Sequence, residues 1–162
     1  MSVTKNNQLI LAAFIKINYK LKEDKMKEDV IERLGYGVMA DRDETPDVFT
    51  NSDKFLIVDL KNRKDIVFEE YRENPHIEII KKKYPMPTGL GGKVSDEEFQ
   101  IYMDIAEILK DCKYVSGGYT GYFPKVAFEK QGVFYVMQAE KRLPRDDLER
   151  LIGNRVLAGF SR

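Results

Sequence analysis

The sequence has one cysteine, one histidine and no tryptophan in 162 residues. A single thiol excludes an internal disulfide framework and any cysteine-only metal cage within one chain. It fits a reducing, cytoplasmic compartment. Net charge is also absent, since 27 basic residues balance 27 acidic ones. Such a chain has no global field to draw in nucleic acid or an anionic membrane. The local run Lys81-Lys82-Lys83 reads as a solvated face. Long apolar runs are missing as well. Leu9 to Ile15 is too short to span a bilayer and lacks the cleavage pattern of a secretory signal. The expectation is a soluble cytoplasmic protein with neither nucleic acid nor membrane as partner.

What is present suits one well-buried core: 43% hydrophobic and 33% charged residues. Residues 1–35 read as an N-terminal helical extension. Within it Met26, Val30 and Leu34 fall at four-residue intervals, as on an amphipathic helix over Glu23–Leu34, with Gly35 placed as its C-terminal glycine. Upstream, "FIKINYK" fits a helical face or an alternating strand. From Tyr36 the texture changes. "YGVMA" is a short strand candidate, and a polar loop broken by Pro46 follows. "FLIVDL" has the continuous apolar character of a strand buried on both faces. "KNRKD" is a turn, "IVFEEYRE" the returning strand of a hairpin, and Asn74-Pro75 its end.

Residues 84–94, "YPMPTGLGGKV", form a loop that reads as mobile. Ser95 and Glu98 then make a capping box, with Ser95 capping and Glu98 reaching back. Phe99, Tyr102, Met103, Ala106 and Leu109 repeat at three and four, so a helix runs to about Asp111. A strand (Lys113–Ser116), a glycine turn, a helix opening near Phe123-Pro124 and a strand (Val133–Gln138) follow. Residues 141–162 hold a last helix over Leu143–Ile152, with Asp146 and Asp147 near its positive end.

Few residues could carry chemistry. Gly117-Gly118 lies between strand and helix, where backbone N–H groups can hold an anion or a ligand edge. The same pair also suits a tight turn with close helix–sheet packing. His76 could be a cluster ligand, a proton shuttle or a plain loop residue. Cys112 reads as a small buried apolar residue, its basic neighbours Lys110 and Lys113 being weak support for a thiolate. Asp41, Asp43, Asp47, Asp53 and Asp59 could bind magnesium only if they converged. Most lie in a polar loop, where solvated aspartate is the ordinary state.

Several strings resemble the dinitrogenase iron–molybdenum cofactor biosynthesis family. These are Phe55-x-x-Val58-Asp59, Asn74-Pro75, Gly117-Gly118, Gly121, Ala127-Phe128 and Gly132-Val133, within residues 36–140. The resemblance implies a ribonuclease-H-like α/β fold: a mixed five-stranded sheet with three antiparallel strands leading into α-β-α-β. It also implies a non-enzymatic accessory protein of nitrogen fixation that binds, carries or helps assemble an iron–sulfur or iron–molybdenum cluster. Its partner would be a metalloenzyme that holds such a cluster, or a cluster-assembly protein. Many members carry a histidine between the first two strands; "DVFTNSDKF" keeps Phe49 without it.

The ligand pocket expected from this reading lies where parallel strands end. It would be bounded by the Asp43–Asp53 loop, the Gly117-Gly118 turn and the His76 segment. Asp43, Asn51, Ser52, Gly117, Gly118 and Tyr119 would contact the ligand, and His76 and Cys112 the cluster metal. The alternative is a cofactor-free interaction module that docks on a partner, or on itself, through the N-terminal helix and the 84–94 loop.

Overall fold

The computed structural model describes residues 2–25, 28–138 and 143–158. The chain divides into two units, residues 1–30 and 31–162. The first contains one helix, α1 (Ser2–Lys25). The second begins with a strand where the sequence suggests helix: β1 runs from Ile31 to Val38. This corrects the helix expected to reach Leu34. Gly35 is not a helix cap but sits in mid-strand, paired with Ile57 and Val115.

The alternation in β1 is real but disguised. Leu34, Tyr36 and Val38 fill one face. The other face carries Gly35 and Gly37, whose missing side chains leave room for Cys112 and Phe49 to press against the strand. A strand that packs glycine against its neighbours' bulk shows no period-two apolar signal on that face.

β2 (Lys54–Lys61) and β3 (Asp65–Glu73) form the expected hairpin. Its turn places Asn62 and Arg63 at φ 55° and 52°, and Lys64 N–H donates to Lys61 O. Positive φ at both central residues is what a type I′ turn requires, and that turn suits the twist of paired strands. α2 (Ile77–Lys83), α3 (Asp96–Ile108), β4 (Tyr114–Gly117), α4 (Tyr122–Lys130), β5 (Phe134–Met137) and α5 (Pro144–Ala158) complete the unit. The short α2 was not legible in the sequence.

The sheet order is β3-β2-β1-β4-β5, with β2 antiparallel to both neighbours and β1, β4 and β5 mutually parallel. This is a ribonuclease-H-like α/β fold. One sheet face packs under α2, α3 and α4, around Phe55, Ile57, Val115, Ile105 and Phe128. The other face, with Leu56, Val58 and Leu60, meets α5 through buried Leu148. The continuous apolar run of β2 therefore does serve both faces.

Half of the expected capping box forms. Ser95 Oγ accepts from the Glu98 N–H at 3.1 Å. The Glu98 carboxylate turns instead to the 84–94 loop, accepting from Thr88 N–H (3.0 Å) and Thr88 Oγ1 (2.8 Å), and from Tyr102 Oη (2.6 Å). A second tie, from Asn51 Nδ2 to Pro85 O at 2.9 Å, fixes the start of that loop.

Candidate functional site

The pocket expected at the ends of the parallel strands is filled by the chain itself. Phe49 N–H donates to Tyr119 O, and Tyr119 N–H donates to Asp47 O, each at 2.8 Å. These bonds stitch the loop after β1 to the Gly117-Gly118 turn, with Val48 and Tyr119 in a parallel bridge. A Cβ on Gly118 would collide with the carbonyl oxygens of Asp47 and Pro46, the latter at 2.6 Å. On Gly117 it would fall 2.8 Å from the ring of Phe49. Both glycines are thus required by backbone and ring approaching closely, which accounts for them without a ligand. Phe49 is fully buried and packs against Phe55, Phe128 and Tyr135 at ring-centroid distances of 5.0 to 5.6 Å. It fills the centre of the site.

Two of the remaining expected ligand residues have side-chain partners. Ser52 is buried and donates to Phe49 O at 2.6 Å. Asp43 accepts from Tyr71 Oη at 2.7 Å. The Tyr119 side chain is exposed. Asn51 Oδ1, in contrast, is buried with no hydrogen-bond partner among the described residues.

The two candidate metal contacts are engaged separately. His76 Nε2 lies 2.9 Å from Asp104 Oδ2 on α3, and the His76 N–H donates to Asn74 Oδ1. Cys112 is buried under Gly35, where its Sγ would be 3.3 Å from a Cβ on that residue. Burial, with Asp111 beside it, pushes its thiol up to about 12. A thiol held protonated in an apolar contact is a poor iron ligand. Asp59 is bound at both oxygens by Arg33, at 2.8 Å each, and Asp53 by Lys81 at 2.6 Å. Among the described residues no three His, Cys, Asp or Glu side chains form a group able to hold a metal ion.

A cavity does exist on the opposite face of the sheet, and sequence reasoning missed it. It measures about 340 Å³ and lies between β1, β4 and β5 below and α5 above. Leu34, Tyr36, Leu60, Tyr114 and Ser116 form its floor, Val136, Met137 and Gln138 one side, and Asp147 and Leu151 the cover. Tyr36 Oη donates to Asp147 Oδ2 at 2.9 Å across the cavity's edge.

At the far end of β1, Glu32 accepts from Arg63 at 2.7 and 3.1 Å and from Lys113 at 2.7 Å. The Arg63 hydrogen bond is the main cause that holds the Glu32 carboxyl down to about 2. The signal that could have located this wall is the alternation Glu32, Leu34, Tyr36 with Tyr114, Ser116 and Val136, Gln138.

No protein-family model matches the chain, and no curated protein matches it. A crystal structure of PH0822 is similar, with a TM-score of 0.54 and 20% sequence identity over 75% of this chain and 91% of that one. Among the described residues no helix is long and apolar enough to cross a membrane. At that identity the likeness speaks to the fold alone, and what this chain shares with PH0822 is its α/β frame.

Proposed function

We propose that this protein is a non-enzymatic docking module that presents α1 to a partner protein. The observation that carries the reading is the exposed apolar surface of that helix. Leu9, Ile10, Leu11, Phe14, Ile15, Ile17 and Tyr19 are all exposed, Leu9 at 69% and Phe14 at 64%. At 100° per residue Ile10, Phe14 and Ile17 form one stripe, and Leu11, Ile15 and Tyr19 a second beside it. Lys5, Lys16 and Lys20 fall on the opposite side.

An apolar stripe this wide suits a helix laid in a groove. Over residues 2–25 five lysines outnumber one glutamate and one aspartate, so the groove that fits has an apolar floor and an acidic rim. The family resemblance supplies the class of partner, an enzyme or assembly protein that holds an iron–sulfur or iron–molybdenum cluster. Direct carriage of the cluster is the weaker branch, because His76 and Cys112 are engaged elsewhere.

The test places a photo-crosslinking residue at Phe14 in the full chain expressed in its native cells. One discrete heterologous adduct, lost when Ile10 and Ile17 are both replaced by aspartate, is expected. Adducts of the chain with itself alone, or an adduct unaffected by those replacements, would overturn the proposal.

A further inference from the structure

We propose that β5 is a self-pairing edge, at which two copies of this chain join their sheets about a twofold axis. The inference is independent of α1. β5 is the last strand of the sheet and is bonded to β4 on one side only. Gln138 N–H donates to Gly117 O, and Ser116 Oγ donates to Val136 O, so Val136 and Gln138 turn their backbone groups toward β4. Backbone groups alternate in direction along a strand, so those of Tyr135 and Met137 point out of the sheet. No described residue bonds to them. Phe134, Val136 and Met137 are 63%, 42% and 60% exposed, which leaves the edge uncovered.

The two edges of the sheet differ in how they are guarded. Natural sheets blunt an open edge with charge, proline or a bulge. β3 does so: Asp65, Glu69, Glu70 and Glu73 outnumber Arg72, and its register with β2 shifts at Asp59/Leu60. Two copies of β3 would set like charges against each other. β5 reads FYVM, with no charge, no proline and no shift in register. An uncharged strand cannot choose a foreign partner by charge, but it fits itself. With Val136 on the axis of an antiparallel pair, Tyr135 faces the partner's Met137, and Met137 the partner's Tyr135. Each such pair exchanges two N–H···O bonds, so every outward group of Tyr135 and Met137 is satisfied. An axis at Tyr135 would instead face Met137 with the partner's Val133, whose N–H is already given to Phe128 O. A contact this short falls below the roughly 1,000 Å² of stable complexes, so the dimer is weak and reversible.

The experiment is sedimentation velocity of the full-length protein over a concentration series, with two cysteine variants oxidised in parallel. A monomer–dimer equilibrium is expected. Val136→Lys, which sets two ammonium groups together at the axis, is expected to raise its dissociation constant tenfold or more. Should that variant fail to fold, Met137→Pro, which removes an outward N–H and spares the β4 ladder, takes its place. Val67→Lys on β3, a similarly exposed position, is expected to leave the equilibrium unchanged. The double replacement of Ile10 and Ile17 by aspartate is expected to leave it unchanged too, which separates this proposal from the reading of α1. Val136→Cys is expected to form a disulfide-linked dimer, because facing non-hydrogen-bonded residues stand about 4.5 Å apart. Met137→Cys is expected to form none, and native Cys112 is buried. The proposal is overturned if the protein is monomeric at every concentration, or if Val136→Lys leaves the dimer intact. It is also overturned if Val67→Lys dissolves the dimer, or if Met137→Cys crosslinks and Val136→Cys does not. A Val136→Cys chain that joins only a different protein in an extract of its native cells would give the edge to a foreign strand, with the same consequence.

Discussion

Tyr36 on β1 and Asp147 on α5 meet in a 2.9 Å hydrogen bond across 111 positions of sequence. The tyrosine is almost fully buried, and burial raises its hydroxyl well above the usual phenol range, so it is a donor at any ordinary pH. Leu148, fully buried beside Asp147, anchors the same turn of the helix. Farther out Arg145 forms an ion pair with Glu69 of β3. Replacing Tyr36 by phenylalanine should cost about 1 kcal/mol of stability in urea unfolding, the net worth of one such bond. Amide exchange should quicken in α5 while β2 stays protected, because β2 is held by β1 and β3. Equal quickening in both elements would show that the bond does not clasp α5 locally.

Acid should loosen the opposite end of the cavity. Glu32 has a folded pKa of about 2 against an ordinary 4.5, set chiefly by Arg63 and helped by Lys113. A depressed carboxyl contributes stability above its unfolded value and loses it as pH falls toward the folded one. The window is therefore about pH 4.5 down to 2. Arg63 and Lys113 are both about half exposed. After discounting for solvent screening the contribution is on the order of 1–2 kcal/mol. Glu32→Gln should flatten the acid limb of the stability curve by that amount, read from urea midpoints at successive pH values. An acid limb of unchanged slope would remove Glu32 from the account.

The sheet was legible wherever apolar residues dictated it. "FLIVDL" reads as a two-sided strand, and β2 is one, because every side chain from Phe55 to Leu60 finds a buried place. The helix from Phe99 is equally plain, since its three-and-four spacing faces the core. β1 was misread because its packing surface on one face is made of glycine. There the information lies in Phe49 and Cys112, residues distant in sequence. The setting of the expected ligand residues was hard to read for a related reason. Gly117-Gly118 signals close approach, and the sequence does not reveal that the approaching group is the protein's own loop at Asp47. The cavity was hidden because its polar residues are scattered singly over two strands, a hairpin turn, the residue after β5 and a helix.

Cys112 should behave as a buried apolar group. With its thiol pushed up to about 12 by burial, almost none is thiolate at neutral pH. Its reaction with a disulfide reagent at pH 8 should be at least tenfold slower in the native protein than in urea. If a cluster donor transfers iron to the protein anaerobically, visible absorption should be the same in a His76→Ala, Cys112→Ala double variant. Rapid native labelling, or absorption abolished by the double change, would restore these two residues as metal contacts.

Two glycine-to-alanine changes should move stability in opposite directions. At Gly118 the new Cβ meets backbone oxygens of Pro46 and Asp47, and a carbonyl cannot swing aside as a flexible side chain can. The loop must part from the turn, endangering the two bonds between Tyr119, Phe49 and Asp47. A loss of roughly 2–4 kcal/mol is expected, the scale of overpacking combined with broken buried hydrogen bonds. Gly153 lies in α5 with nothing within 4 Å of a Cβ. Alanine there removes the entropic penalty of helical glycine and should add about 0.5–1 kcal/mol. Thermal or urea unfolding of the two variants side by side decides the matter. If Gly118→Ala were tolerated without loss, the loop would have slack at the strand ends, and the space for a ligand that the stitched backbone denies would have to be reconsidered.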